Sequence, residues 1–248
     1  MWIFLTLLII LIFIILLTRS RTQKPPEITR AVVINLDSKP SRLRVTTQEY
    51  NNSDLSTRVP LERFSAVVGA DLDITEHLDQ TTQRELLEIE NVGYRTKHHQ
   101  LTRGAIGCYL SHLEVYKKVK PGEIVLVLED DIKIKPDALE SIVWPMGYWD
   151  ILLLGHNVLK KKDNGDVKSF WGTCGYLITY EGAQKIIKKN HPIDCQIDTY
   201  LSWDDDIVVK SVPSPVIKPN NMFQTDIQMP IQITVPDSFI YRGKVLQL

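Results

Sequence analysis

Glu129, Asp130 and Asp131 stand side by side directly after Ile124-Val125-Leu126-Val127-Leu128, a run with no polar side chain. Three adjacent carboxylates at the end of a buried strand repel one another. Each raises the pKa of its neighbours unless a cation neutralises the group. Hard oxygen donors of this kind suit Mg2+ or Mn2+, ions that usually bind through one or two carboxylates together with substrate phosphates. The same acids could instead cap the helical stretch that opens at Pro136, or stay solvated without an ion. Spacing alone leaves both readings open. Asp204-Asp205-Asp206 is equally acidic, but no apolar strand leads into it, and it reads as a solvated turn.

The elements that must position the acids follow from the pattern around them. Ala31-Val32-Val33-Ile34-Asn35-Leu36 is a β-branched run suited to a strand buried on both faces. Ser38-Lys39-Pro40 signals a helix start, and a helix is predicted to about Tyr50. Residues 61–68 are a second strand candidate. Residues 71–100 are polar and read as irregular, with a short helix near 84–90 and with His98-His99 in a solvated loop. Ile106, Tyr109, Leu110, Leu113 and Tyr116 mark one face of a helix that packs on the sheet, and Pro121-Gly122 ends it. Residues 149–154 and 175–179 read as strands, 160–165 as a turn and 181–189 as a helix. The proline-bearing tail (Pro213, Pro215, Pro219, Pro230, Pro236) reads as loops and edge pieces. Strands alternating with helices predict an α/β domain with a largely parallel or mixed sheet. Ligands in such sheets bind beyond the carboxyl ends of the strands, where the acids fall.

Lys and Arg number 29 against 30 for Asp and Glu, a balance that argues against a nucleic-acid binder. The 248 residues suffice for one large domain or two small ones. Residues 2–17 are apolar apart from Thr6, a length at the lower limit of the roughly 17–25 residues that span a bilayer. A cleaved signal peptide would need a basic start and a small-residue cleavage site, and neither is present. The expected plan is therefore a single-pass anchor over 1–18, a linker over 19–30 and a folded domain over 31–248. Arg19, Arg21, Lys24 and Arg30 follow the apolar run, which by the positive-inside rule leans toward a cytoplasmic domain. Cys108, Cys174 and Cys195 are an odd set that fits a reduced compartment, or one disulfide with a leftover thiol.

Four segments, in order, carry a family resemblance. They are Val33-Ile34-Asn35-Leu36-Asp37 with Arg42, then Gly104-Ala105-Ile106-Gly107-Cys108 through Ser111-His112, then Val127-Leu128-Glu129-Asp130-Asp131. The fourth is Trp171-Gly172-Thr173-Cys174-Gly175-Tyr176 leading to Glu181-Gly182-Ala183. Together they resemble glycosyltransferase family 25, which includes lipooligosaccharide and procollagen galactosyltransferases. The resemblance implies a GT-A-type, Rossmann-like mixed sheet flanked by helices. It also implies Mn2+ (or Mg2+), a UDP-sugar donor with galactose favoured, a hydroxyl acceptor on a glycan or protein, and inversion at the sugar carbon.

On that resemblance Glu129–Asp131 replaces a DxD-type motif, with Asp131 the direct metal ligand and Glu129 or Asp130 serving ribose or a metal-bound water. Asn35 and Arg42 follow the first strand, where a nucleotide would lie. Ser111 and His112 could line the donor pocket or form a structural pair. Gln224 and Asp226 resemble a C-terminal segment that approaches the metal. A general base for the acceptor hydroxyl falls to Asp198 or Asp194, with Asp198 preferred because Ile197, Tyr200 and Leu201 would shield it from water. Two other classes stay in view. One is a non-catalytic, membrane-tethered sugar-binding or scaffold domain. The other is a metal-dependent nucleotidyltransferase, which should carry a Gly-rich phosphate loop after the first strand, and Asp37-Ser38-Lys39-Pro40 is not one.

Overall fold

The computed structural model describes residues 25–96, 100–223, 225, 227, 229, 230, 232, 238–241 and 244–247. The anchor expected at 1–18, His98-His99, Gln224 and Asp226 lie outside these residues. Among the described residues, no helix is long and apolar enough to cross a membrane.

In chain order the elements are β1 (Arg30–Asn35), α1 (Pro40–Asn51), β2 (Leu61–Ser65), α2 (Gln80–Val92), α3 (Arg103–Tyr116) and β3 (Ile124–Glu129). There follow β4 (Ile132–Ile134), α4 (Ala138–Ser141), β5 (Ile151–Lys161), β6 (Val167–Thr179), α5 (Tyr180–Lys189) and α6 (Ile197–Trp203). The tail holds β7 (Val209–Ser211), β8 (Ile217–Pro219), and an antiparallel pair of β9 (Ser238–Tyr241) with β10 (Lys244–Gln247).

The main sheet has the order β2-β1-β3-β6-β5-β7. β1 runs parallel to both β2 and β3, while β6 is antiparallel to β3 and β5. The sheet is therefore mixed. Its two faces are covered separately. Val32 and Ile34 of β1 pack in one cluster with Ile106, Tyr109 and Leu113 of α3. Ala31 and Val33, pointing the other way, pack with Tyr50 and Leu43 of α1. The chain thus leaves β1 over one face and returns to β3 over the other. That reversal opens a crevice at the carboxyl ends of β1 and β3, where ligands bind in folds of this kind. Ile34 pairs with Glu129 across these two strands, so the acids lie at the crevice.

Three local expectations are corrected. Instead of a short helix in an irregular stretch, α2 spans 13 residues. The Asp79 carboxylate accepts from the Thr82 backbone amide, and Gly93 at φ 81° ends the helix. Its buried face is only Thr82, Leu86 and Ile89, too narrow to mark the pattern. The β5–β6 hairpin runs well past the expected strand and turn, because backbone pairing carries it beyond the core through register shifts from Leu153 onward. Asp204 is also no solvated acid. Its side chain is 6% exposed and lies 3.5 Å from Lys189 Nζ, and Asp206 pairs with the same lysine.

The loop after β2 presses directly on α3. A Cβ added at Gly107 would lie 2.7 Å from the Val67 carbonyl oxygen and 2.8 Å from the Gly69 nitrogen, so neither backbone has room for one. This contact sets the wall of the crevice. Gly107→Ala is expected to lower stability by about 1–3 kcal/mol, the usual cost of overpacking. Chemical denaturation checks this; a loss under half a kcal/mol would show that the loop simply moves aside.

Candidate active site

The three acids, although consecutive, point to three environments. Glu129 turns toward α3 and β6. Its Oε1 accepts from the Thr173 hydroxyl at 2.6 Å and lies 3.6 Å from His112 Nε2. Burial pushes its carboxyl up, but His112 and Thr173 more than offset this and hold it below the usual range. Behind it, His112 Nδ1 meets the Tyr176 hydroxyl at 2.6 Å, and Tyr176 meets Tyr116 at 2.5 Å.

Asp130 turns toward α1. It accepts from Asn35 Nδ2 at 2.5 Å and from Arg42 Nη1 at 3.4 Å, and its backbone carbonyl accepts from Thr46 at 2.7 Å. Asp130 and Arg42 are both buried. Burial raises the Asp130 carboxyl, and Asn35 and Arg42 partly counter this. Asn35 is fixed in turn by Arg63, whose Nε donates to its Oδ1 at 3.0 Å.

Asp131 faces outward. Its side chain is 28% exposed, and its ion-pair neighbour among the described residues is Arg42 at 4.0 Å. Burial, followed by the charges of Glu129 and Asp130, pushes its carboxyl up to about 6. Its backbone carbonyl accepts from the Asn220 amide at 2.6 Å, beside the antiparallel β4–β8 pairing of Ile132 with Pro219.

A cavity of about 270 Å³ opens over these acids. Arg42, Ser111 and His112 line it as expected, and Cys108, Arg103 and Val67 join them. The Ser111 hydroxyl is occupied: it donates to the Gly107 carbonyl at 2.6 Å and accepts from the Val67 amide at 2.8 Å. Its part is to hold the loop against α3. Asn35, too, contributes through Asp130. Arg103 is held by Glu90 at 2.7 Å and the Leu72 carbonyl at 3.2 Å.

The two base candidates are separated. Asp194 is half-buried ahead of α6, whose N-cap position is Gln196. Asp198 sits in the first turn of α6, where it accepts from the Gly172 amide at 2.9 Å and the Thr199 amide at 2.7 Å. Burial pushes its carboxyl up, the two amides counter this, and the nearby charge of Glu129 raises it again. Asp198 is thereby coupled to the acidic cluster.

Sequence reasoning did not single out Thr46, Arg63, Thr173, Tyr176 or Cys108 as site residues. Cys108, His112 and Tyr116 recur at four-residue spacing on one helix face, a signal that was available. Thr173 and Tyr176 gain their roles only through the β3–β6 register, which local pattern does not fix.

Residues 28–146 match glycosyltransferase family 25 (LPS biosynthesis protein). This stretch, which holds the acids and the cavity wall, is thus similar to family 25 glycosyltransferase domains. A family 25 member from Aedes aegypti is 29% identical over 196 residues, covering 70% of this chain and 30% of the relative. Procollagen galactosyltransferase 2 of Homo sapiens is 32% identical over 133 residues, covering 44% and 21%. An inactive family 25 member 3 from Mus musculus is 25% identical over 201 residues, covering 69% and 32%. The chain spans less than a third of the length of these relatives. Among solved structures, the galactosyltransferase LgtC with donor and acceptor sugar analogues aligns at TM-score 0.45 and 10% identity, covering 77% of this chain and 87% of that one. An inositol-1-phosphate CTP transferase from T. maritima aligns at 0.43 and 12%, covering 82% and 94%. At these scores neither likeness bears on function.

The split among the acids has a measurable consequence. Asp130→Asn keeps the shape but sets an amide against the Asn35 donor and removes the charge facing Arg42. It is expected to cost about 1–3 kcal/mol. Asp131 should behave in the opposite way: burial raises both carboxyls, but only Asp130 would lose the Asn35 and Arg42 bonds on substitution. The raised pKa of Asp131 means that the folded protein disfavours the carboxylate, a penalty fully present above about pH 6 and gone below about pH 4. Asp131→Asn should therefore stabilise metal-free protein at pH 7.5, with the gain disappearing near pH 4. Urea melts in EDTA at both pH values check this pair, and equal effects at the two positions would contradict it.

Proposed function

We propose that this chain is an active, metal-dependent glycosyltransferase of GT-A type. It moves a hexose, galactose favoured, from a UDP-sugar to a hydroxyl acceptor on a glycan or protein, with inversion. The observation that carries this reading is the position of Glu129–Asp131 at the β1/β3 crevice, with Asp131 directed outward beside a cavity.

The donor set fits a hard divalent cation. Asp131 offers a partly exposed carboxylate with little local compensation, and Glu129 offers a second at the cavity. Mn2+ or Mg2+ held there would stabilise charge on the departing diphosphate. Asp130 contributes by fixing Arg42 at the cavity wall, where a guanidinium can face phosphate oxygens. Arg42 also lies 5.6 Å from the Phe223 ring centroid, which steadies its plane. Asp198, with its carboxyl pushed up, is suited to accept the proton of the acceptor hydroxyl as that oxygen attacks.

Likeness to the family does not decide activity, since one relative bears the name inactive. The rival is a non-catalytic sugar-binding domain. A donor-hydrolysis screen over UDP-sugars, with and without Mn2+, separates the two readings. No turnover of any UDP-sugar by folded protein would favour the rival.

Asp131→Asn should abolish transfer and Mn2+ binding while leaving the fold intact. Near-normal transfer with Mn2+ present would refute the metal assignment. Asp198→Asn should slow transfer by ~10²–10⁴-fold, the usual loss for a general base, and leave UDP and Mn2+ affinity nearly unchanged. Calorimetry beside rate measurements reads both. A selective rate loss in Asp194→Asn instead would move the role to Asp194. Retention in a membrane through residues 2–17 belongs to the same proposal. Intact mass of the purified protein tests it, and a mature chain starting beyond Leu17 would overturn it.

A further inference from the structure

Cys108 and His112 face the cavity from α3, next to Glu129 at the end of β3. The Cys108 sulfur, a His112 ring nitrogen and a Glu129 carboxylate oxygen all lie within 4.8 Å of one another. His112 is fully buried, and its Nε2 has no hydrogen-bond partner among the described residues. That nitrogen points at Glu129 Oε1 from 3.6 Å. Two such atoms at this distance need a positive group between them, either the proton of the ion pair that lowers Glu129 or a metal cation.

The surroundings favour a metal. Two ligands of one tetrahedral zinc ion, each ~2.1 Å from it, stand roughly 3.4 Å apart, close to the separation seen. His112 Nδ1 can donate to the Tyr176 hydroxyl at 2.6 Å, which leaves Nε2 as the ligating atom. Thr173 donates to Glu129 at 2.6 Å and fixes the carboxylate. These are the outer-shell bonds that orient metal ligands. The cavity supplies an entry path and room for a fourth, water ligand. Thiolate, imidazole and carboxylate together suit a borderline-soft ion rather than Mg2+.

We propose that Cys108, His112 and Glu129 form a Zn2+ site, sharing only Glu129 with the hard-cation position at Asp131. Its ligands come from α3 and β3, so binding would tie that helix to the acidic strand end.

The test uses the full chain, reduced and stripped of metal, titrated with Co2+ as a spectroscopic substitute for zinc. One Co2+ per chain should bind with a sulfur-to-cobalt charge-transfer band, and one equivalent of Zn2+ should displace it. Cys108→Ser, shown folded by circular dichroism, should lose the band. Tyr176→Phe should keep the band but weaken binding by ~10–100-fold. Asp131→Asn should keep the band while losing Mn2+, so this site and the transfer reading fail separately. Should the serine variant not fold, alkylation of wild-type protein decides, since zinc must protect Cys108. A folded wild type with no band, a band that survives Cys108→Ser, or zinc that leaves Cys108 alkylation unchanged would overturn the proposal. His112 and Glu129 would then be a plain buried ion pair.

Discussion

Three negative charges on consecutive residues at the end of a fully buried strand are the constraint around which this domain is arranged. The backbone cannot separate them, so the side chains must. Glu129 is drawn to one face of the sheet by Thr173 and His112, and Asp130 to the other by Asn35 and Arg42. The third has nowhere left to go but outward. Alternation along an extended chain supplies the first two directions. The turn into β4, held by Thr46 and Asn220 on either side, supplies the last.

The sheet topology serves the same end. β1 leaves over one face and the chain returns to β3 over the other, so the two partner sets arrive on different layers. α1 brings Arg42 and Thr46, while α3 brings His112 and Cys108. Neither helix could supply both sets. Close approach of the loop after β2 to Gly107 then walls one side of the cavity between them.

Much of this was legible in the amino-acid sequence. The β1 and β3 strands, α1 and α3, and the acids as the centre of interest all follow from periodicity and from the cost of adjacent charges. What stayed hidden depends on distant register. Nothing local distinguishes Asp130, an internal clamp, from Asp131, an outward acid, because the difference lies in Asn35 and Arg42 some ninety residues earlier. Thr173 and Tyr176 acquire meaning only when β6 pairs with β3. α2 was underread because its polar composition hid a narrow buried stripe, although Asp79 and Gly93 mark both of its ends. The tail was rightly seen as edge pieces, but a short strand such as β8 carries no pattern that would reveal its partner.

That partner gives β8 a bearing on how the domain is made. β8 pairs with β4, and the neighbouring Asn220 amide caps the Asp131 carbonyl, so the acidic turn is latched by residues that lie much later in the chain. During synthesis the amino-terminal strands emerge first and can begin to pair. The turn itself stays unlatched until Ile217–Pro219 has left the ribosome. A nascent chain therefore carries its three carboxylates without their final geometry until this later segment has been made.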